Sequence, residues 1–344
     1  MSIDNLNGLS NNLRKIEREF KQIIEPYRTD LWRYCLNLTQ SPWDAEDLVQ
    51  ETLLKSLSVL AKLFQSVDTK AYLFKIATNL WIDQKRKQKH IDLPYNDLLF
   101  QDISATEAFQ LMENLSELVS HLTPTQYIAL VLTEAFQFKG KEAAEIMSTS
   151  ESAVYTNISR ARQTLRDISN PEIAAASKRT KPINNISPTA AVELLLKGFR
   201  NKNPELIASL MDENVITDIT HSGLEYGKDE VEKNSLKDWA EIVQKQHEIV
   251  SDYIELWGRP VIIELERKLD THLYLNNIHY VEMNNDKITY WKFYCFSWDM
   301  MQLAAKELDV KLNAAYFYHI FFKRKTNLAV RFSLSKTLYK LKEF

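Results

Sequence analysis

The chain has 344 residues, of which 45% are hydrophobic and 26% charged, so it is long enough for two or three domains and is not a disordered chain. The formal net charge of −3 excludes nucleic-acid binding through overall charge, so any such binding needs local basic patches. Cys35 and Cys295 give no disulfide framework and no cysteine metal site. With no visible signal peptide and no apolar run of about 18 residues, we expect a cytoplasmic protein without membrane insertion.

The first helical pattern covers residues 14–38 and is interrupted by Pro26. Ser41 is a natural N-cap, and Pro42 fits the first position of the helix that follows, PWDAEDLVQETLLKSL. This helix carries an acidic face beside its leucines, which is either a solvated surface or a binding surface.

Residues 70–89, KAYLFKIATNLWIDQKRKQK, predict one amphipathic helix. Its apolar face holds Leu73, Ile76, Ala77, Leu80 and Trp81, and its basic residues lie mostly off that face. Such a helix is a plausible nucleic-acid surface, and the alternative is a solvated lysine-rich helix end.

The order DAEDLVQETLLK, loop, AYLFKIATNLWIDQKRK resembles region 2 of bacterial sigma factors of the extracytoplasmic-function group. The resemblance implies an acidic helix that docks on the clamp of core RNA polymerase and a basic helix that contacts the melting minus-ten element. Tyr72 stands where the family usually has Trp, Thr78 stands for its Arg, and Asp83 matches its pattern. The implied polymerase contacts are Asp44, Asp47, Leu48, Gln50, Glu51 and Lys55, and the implied DNA contacts are Lys70, Tyr72, Lys75, Asn79, Arg86 and Lys87.

Residues 91–113 are polar and acidic and predict a linker, and a second helical module covers residues 114–168. In that module Thr123 caps a helix, residues 141–147 form a short helix, and Ser150 caps a last helix after a tight turn. Two short helices joined this way are typical of a DNA-binding helix-turn-helix, or of a helix pair used only for packing.

The segments EAAEI and SRARQTLR resemble region 4 of the same sigma factors. That region reads the minus-35 element and docks on the polymerase beta flap. Ser148 replaces the usual turn glycine, and Tyr155 and Asn157 replace commonly basic residues. The implied DNA contacts are Ser152, Tyr155, Thr156, Asn157, Arg160 and Arg162.

Residues 169–188 contain three prolines and predict another linker, after which residues 189–318 predict an α+β domain. Its helices are expected at 189–202, 205–211 and 227–246, and its strands at 215–220, 261–269, 272–281 and 287–298. Residues 284–286 predict the hairpin turn between the last two strands. The pattern resembles the SnoaL-like cone fold that some of these sigma factors carry as an extension.

The interior of such a cone offers a pocket, and its candidate lining residues are Asp218, His221, His279 and Trp291. An Asp and a His there are either an acid–base pair or ordinary strand residues. Residues 319–344 form a basic, aromatic tail that either touches DNA, polymerase or the acidic linker or is a solvated terminal helix.

The fold class expected is multidomain: two all-α modules (residues 14–90 and 114–168), then the α+β cone. The resemblance implies a sigma factor that directs promoter-specific initiation, with core RNA polymerase and promoter DNA as partners. It implies no catalytic residues, no cofactor and no metal. An anti-sigma factor or a small ligand is a further candidate partner. The alternatives are a helix-turn-helix regulator with a ligand-binding cone and a cyclase- or hydrolase-like enzyme tethered to DNA-binding modules.

Overall fold

The computed structural model describes residues 23–57, 69–88, 121–168 and 183–313. The predicted linker at 91–113, residues 169–182 of the predicted linker at 169–188, the tail and residues 14–22 lie outside these ranges. The chain divides into two compact units between residues 183 and 184. None of the helices in the described ranges is long and apolar enough to cross a bilayer.

The first unit is all-helical. A 3₁₀ turn at Glu25–Tyr27 contains Pro26 and precedes α1 (Arg28–Thr39), so the predicted interruption at this proline is confirmed. Helices α2 (Pro42–Leu57) and α3 (Thr69–Gln88) pack against α1. Ser41 caps α2 as predicted, since its Oγ accepts the backbone N–H of Asp44 at 3.3 Å.

The helix-turn-helix of this unit consists of α5 (Gly140–Ile146) and α6 (Glu151–Ile168). It follows α4 (Pro124–Leu130), which Thr123 caps through a reciprocal capping box with Gln126. A π-helical turn at Val131–Ala135 extends α4. Ser148 in the tight turn has φ +53, the left-handed conformation that a glycine adopts without strain.

The second unit is a sheet with helices, as the α+β prediction requires. Its helices are α7 (Ala190–Arg200), α8 (Pro204–Ser209), α9 (Lys228–Lys233), α10 (Ser235–Val243) and α11 (Trp298–Glu307). Its strands are β1 (Ile183–Asn185), β2 (Met211–Ile219), β3 (Gly223–Tyr226), β4 (Glu248–Leu256), β5 (Arg259–Arg267), β6 (Leu273–Asn284), β7 (Lys287–Phe293) and β8 (Lys311–Leu312).

The strands form one sheet in the order β1-β4-β5-β6-β7-β2-β3, with β8 paired to β6. Strand β2 runs parallel to β7, while β4 to β7 form an antiparallel meander. The hairpin between β6 and β7 turns at Asn285 and Asp286, whose φ angles of +50° and +62° fit a type I′ turn. The predicted turn is therefore confirmed.

The strand predictions need correction in two respects: the end of the last strand, and the absence of β1, β3, β4 and β8 from the prediction. The last strand does not reach Trp298 but ends at Phe293, and Trp298 begins α11. Strand β4 was not predicted, although it is the central partner between β1 and β5. It buries residues of both parities, including Ser251, Ile254 and Leu256, so its sequence shows no clean alternation.

Candidate nucleic-acid interface

Helix α2 presents an acidic stripe to solvent. Asp44, Asp47 and Glu51 are exposed and recur at helical spacing, with Lys55 at the end of the stripe. Leu48 is fully buried, so the prediction that it contacts polymerase directly is corrected: it anchors the helix in the core instead. Sequence reasoning missed Leu54, which is 62% exposed beside this stripe and is an apolar contact candidate.

Glu46, which belongs to the acidic face of the helix in sequence, is used inside the fold. It is buried, and its Oε2 accepts the indole N–H of Trp32 at 2.9 Å. A buried carboxylate that accepts such a bond holds α1 against α2. The outer acids are thereby left on the opposite face of α2.

Helix α3 places its predicted DNA contacts along one side. Asn79, Arg86 and Lys87 are exposed, while Tyr72 and Lys75 are half-buried. Arg86 lies 3.6 Å from Asp83, a one-turn ion pair that is largely solvated. Burial lowers the pKa of Lys85 below its usual value, and the carboxylate of Asp44 opposes that shift.

Lys70 is placed differently from the other α3 residues. Its Nζ pairs with Asp30 at 2.7 Å and lies 5.7 Å and 5.6 Å from the ring centroids of Phe74 and Phe138. These contacts engage the ammonium group of a half-buried side chain. A DNA contact by Lys70 therefore requires its release.

The recognition helix α6 begins at Ser150, whose Oγ accepts the backbone N–H of Ala153 at 3.2 Å. Ser152, Thr156 and Arg160 are exposed on one side of α6 at helical spacing. Such a row at the start of a recognition helix is the set that enters a major groove. Arg162 instead forms an ion pair with Glu134 of the π-helical turn.

Tyr155 and Asn157 differ in what they can offer DNA. Tyr155 is 56% exposed and lies directly against Gly140, whose glycine hydrogen leaves room for the phenol ring. The side-chain amide of Asn157 is half-buried and donates to the carbonyl of Ala153 at 2.9 Å. Tyr155 is therefore presented to a ligand, while Asn157 is turned along its own helix.

The residues predicted for a pocket in the sheet unit do not form one cluster. His279 and Trp291 meet, since the indole N–H donates to Nδ1 of His279 at 3.2 Å. Asp218 is paired in register with Lys292, one residue beyond Trp291, so it lies on the other face of the sheet. His221 occupies the turn after β2, with φ +63.

A buried polar network surrounds His279. Because Nδ1 accepts from Trp291, the ring proton lies on Nε2, which faces Oε2 of Glu264 at 3.4 Å. Glu264 is fully buried and also accepts from the indole of Trp239 at 2.8 Å and the amide of Asn276 at 3.1 Å. These bonds join α10, β5, β6 and β7, so the network stabilises the interior of the sheet unit.

Two family descriptions match the chain: Sigma-70 region 2 over residues 23–91, and Sigma-70, region 4 over residues 112–165. With the exposed stripes of α2, α3 and α6, these matches define the class as a sigma-70-type transcription factor. The ECF RNA polymerase sigma factor SigM of Bacillus subtilis is 32% identical over 154 residues, which cover 43% of this chain and 94% of SigM. The chain belongs to the ECF RNA polymerase sigma factors.

Other relatives match different shares of the chain. The ECF RNA polymerase sigma factor SigG of Mycobacterium tuberculosis is 28% identical over 182 residues, and the chain spans about half of it, 48%. The solved sigma factor RpoE of Bartonella quintana, in complex with the anti-sigma factor NepR, matches 44% of this chain and 99% of its own, with 23% identity and a TM-score of 0.38. The solved extracytoplasmic function sigma factor SigJ of Mycobacterium tuberculosis matches 80% of this chain and 95% of its own chain, with 20% identity and a TM-score of 0.32.

Proposed function

We propose that this sigma factor docks on core RNA polymerase through the acidic stripe of α2 and reads two promoter elements through α3 and α6. The observation that carries the proposal is the separation of charge on exposed helix faces. Asp44, Asp47 and Glu51 line α2, whereas the exposed face of α6 carries Arg160 among hydroxyl side chains. Opposite local charges on separate helices suit a basic polymerase surface and the DNA backbone respectively.

Two kinds of DNA contact are proposed: phosphate contacts that position the protein and base contacts that give sequence specificity. Arg86 and Lys87 at the end of α3 supply charge for phosphates. Ser152 and Tyr155 in the first turns of α6, and Arg160 further along it, supply hydrogen-bond donors and acceptors for base edges in a major groove. We propose the minus-ten element for α3 and the minus-35 element for α6, by resemblance to the family.

For the sheet unit we propose a SnoaL-like cone, residues 189–318, that modulates initiation. What supports the proposal is the antiparallel meander β4–β7 with α7 packed against β4. A small ligand of this unit, or an anti-sigma factor acting on the helical modules, would be the signal. Sigma factors are not enzymes, and we propose a structural role for the His279 network rather than a catalytic one. The cytoplasm is the compartment proposed.

The test of polymerase docking is a charge reversal on α2. We expect Asp47→Lys with Glu51→Lys to weaken binding of the full chain to core RNA polymerase at least about tenfold, since two rim charges change sign. Asp229→Lys, an exposed acid in the sheet unit, is the matched control and should bind normally. Equal binding to core RNA polymerase by the unaltered chain, the double variant and the control would overturn the proposed docking surface.

A further inference from the structure

The two faces of the sheet in the second unit differ in how they are covered. On the inner face the ring of Phe199 from α7 stacks on His279, with the ring centroids 4.8 Å apart. On the outer face Ile216, Leu224 and Tyr226 are 37%, 50% and 62% exposed. The helical layer therefore packs on the inner face, while large apolar side chains of β2 and β3 meet solvent on the outer face.

The strand register groups these three exposed residues on one surface, which we name the outer patch. Ile216 is the partner of Tyr226, and Asp218 is the partner of Leu224. Partners on adjacent strands share a face, as do residues two apart on one strand. Single exposed apolar residues are ordinary, whereas a contiguous group of them marks a surface that binds something.

Polar groups beside the outer patch are held in place by bonds within the sheet. Oδ2 of Asp218 accepts the hydroxyl of Tyr290 at 3.0 Å and lies 3.5 Å from Nζ of Lys292. The ring of Tyr290 lies 6.4 Å from that of Tyr280, whose hydroxyl donates to Glu282 at 3.1 Å. A surface that is already ordered loses little conformational entropy when a segment docks on it.

The chain supplies an apolar segment next to this sheet. Residues 314–344 follow β8 and lie outside the described ranges. Their first part, residues 314–322, reads AAYFYHIFF and contains five aromatic residues. Aromatic side chains gain the most from burial, so this run favours an apolar surface over water.

The segment begins within reach of the outer patch. Strand β8 pairs with β6 at Tyr274 and Leu275, and β3 lies three strands beyond β6. Three strand spacings are about 14 Å, and the path along β6 from Leu275 to His279, which is level with the end of β2, adds about 13 Å. The patch is therefore about 20 Å from β8. Residues 314–322 cover about 30 Å when extended, so they span this distance.

Charge also favours this pairing. Residues 184–313 contain 22 acidic and 14 basic residues, whereas residues 314–344 contain seven basic residues and one acidic residue. Three of the bases, at residues 323–325, follow the aromatic run directly. Glu282 is exposed on the outer face beside Tyr290. An apolar run followed by bases is thus complementary to an apolar patch bordered by an acid in an acidic unit.

We propose that residues 316–325 dock on the outer patch of the same chain. The aromatic run packs against Ile216, Leu224 and Tyr226, and residues 323–325 lie beside Glu282. The docking goes beyond the proposed function and needs neither polymerase nor DNA. It is tested on the free full chain, so a failure to bind polymerase would count against the proposed function and leave the docking unaffected.

Trypsin cleavage after residues 323–325, followed by mass spectrometry, tests the docking. Cleavage of a docked segment requires release, so its rate follows the undocked fraction. We expect Leu224→Asp with Tyr226→Asp to speed this cleavage at least about fivefold relative to cleavage after Lys178, which is the internal reference. Leu269→Asp, which changes an exposed leucine between β5 and β6, is the control and should leave the rate unchanged.

Variants of the segment itself make the test independent of changes to the sheet. Tyr316→Asp with Tyr318→Asp should speed the same cleavage by a similar factor. Combining both pairs of substitutions should give no further increase, because each pair removes the same contact. Unchanged rates in both pairs with native circular dichroism would overturn the docking. A rise in Leu269→Asp alone would place the segment elsewhere and would overturn it as well.

Cross-linking distinguishes docking within one chain from docking between two copies. We expect a flexible bismaleimide to join Tyr226→Cys to Thr326→Cys within one chain, while the native Cys35 and Cys295 are buried. Asp252→Cys with Thr326→Cys is the control, since Asp252 is exposed on the outer face but lies on β4, five strands from β3. Equal cross-linking of both pairs, or cross-links and protection that appear only between copies as protein concentration rises, would overturn docking within the chain.

Discussion

Tyr155 owes its position on the recognition helix to one glycine. A Cβ at Gly140 would lie 2.6 Å from Oη of Tyr155, so a side chain there must push the phenol aside. The ring is exposed and can move, so the cost falls on DNA reading more than on stability.

We therefore expect Gly140→Ala to weaken binding to a duplex bearing the minus-35 element about tenfold, the effect of losing one base contact of about 1.4 kcal/mol. The double variant with Tyr155→Ala should bind like Tyr155→Ala alone, because both changes remove the same contact. Binding isotherms with matched melting temperatures make the comparison, and fully additive losses would show that Tyr155 is not the group displaced.

Glu307, at the end of α11, illustrates a charge that the fold disfavours. Burial raises the pKa of this carboxyl above its usual value, with Lys306 opposing the shift. A carboxyl with a raised pKa in the folded protein favours folding when protonated and loses that benefit as the pH rises through its folded pKa.

Glu307→Gln removes the ionised form, so it should raise the melting temperature more at pH 7 than at pH 4. Thermal unfolding at both values, with Glu213→Gln as the exposed control, measures the difference. A gain of equal size at both pH values would assign the effect to packing rather than to ionisation.

At the scale of elements, the tight turn between α5 and α6 works without the glycine that this position usually has. Ser148 takes φ +53 there, whereas Thr149 has no positive φ. A residue other than glycine in the left-handed conformation costs about 1–2 kcal/mol of stability. Glycine removes this strain, but part of the gain is offset because glycine loses more backbone entropy on folding.

Ser148→Gly should accordingly raise the free energy of unfolding by about 0.5–1 kcal/mol. Thr149→Gly, one residue along, should lower it by a similar amount because the extra flexibility brings no relief. Denaturant titration of the full chain follows both, and a loss of stability in Ser148→Gly would contradict the role assigned to the turn.

Strands β5 and β6 are joined inside the sheet unit by Glu264. Replacement by Ala would leave the indole of Trp239 and the amide of Asn276 buried without the acceptor that they share. Each buried donor without a partner costs about 1–3 kcal/mol.

Glu264→Ala is thus expected to destabilise the sheet unit by at least about 2 kcal/mol. Glu264→Gln keeps one acceptor oxygen and should lose less, and the exposed Glu213→Ala should lose almost nothing. Denaturant unfolding of the full chain, followed by circular dichroism, measures the loss. Similar stability for all three variants would remove the network from the stabilising contacts.

Helix starts were predictable because caps are local. Ser41, Thr123 and Ser150 each lie just before their helix, and their hydroxyl oxygens accept backbone N–H groups as the sequence implied. Strand β4 was not predictable in the same way, because both its faces contribute buried residues and no alternation marks it.

The binding residues were less predictable than the helices that carry them. The burial of Leu48 and the exposure of Leu54 depend on how α2 meets α1 and α3, which spacing alone does not give. The separation of Asp218 from His279 depends on strand register, a non-local property. Tyr127 contacts Trp81 of α3, and Phe136 contacts Tyr34 of α1. The sequence does not reveal these contacts between the two helical modules, because an apolar helix face has the same residue pattern whichever element it packs against.

At the scale of the whole molecule, a sigma factor of the ECF group carries an additional sheet unit at residues 184–313 of the described chain. Under the proposed function, recognition is distributed over three helices of the first unit. Because α3 and α6 are assigned different promoter elements, substitutions in each helix should change preference at only one of them.

The most direct measurement of the central claim is transcription initiation by core RNA polymerase with the full chain on a promoter library, with start sites and upstream sequences read out. The account predicts defined starts that require the chain, loss of initiation with Asp47→Lys and Glu51→Lys, and a preference altered only in the upstream element by Arg160→Ala. Initiation that is independent of the chain, or that survives the α2 charge reversal unchanged, would contradict it.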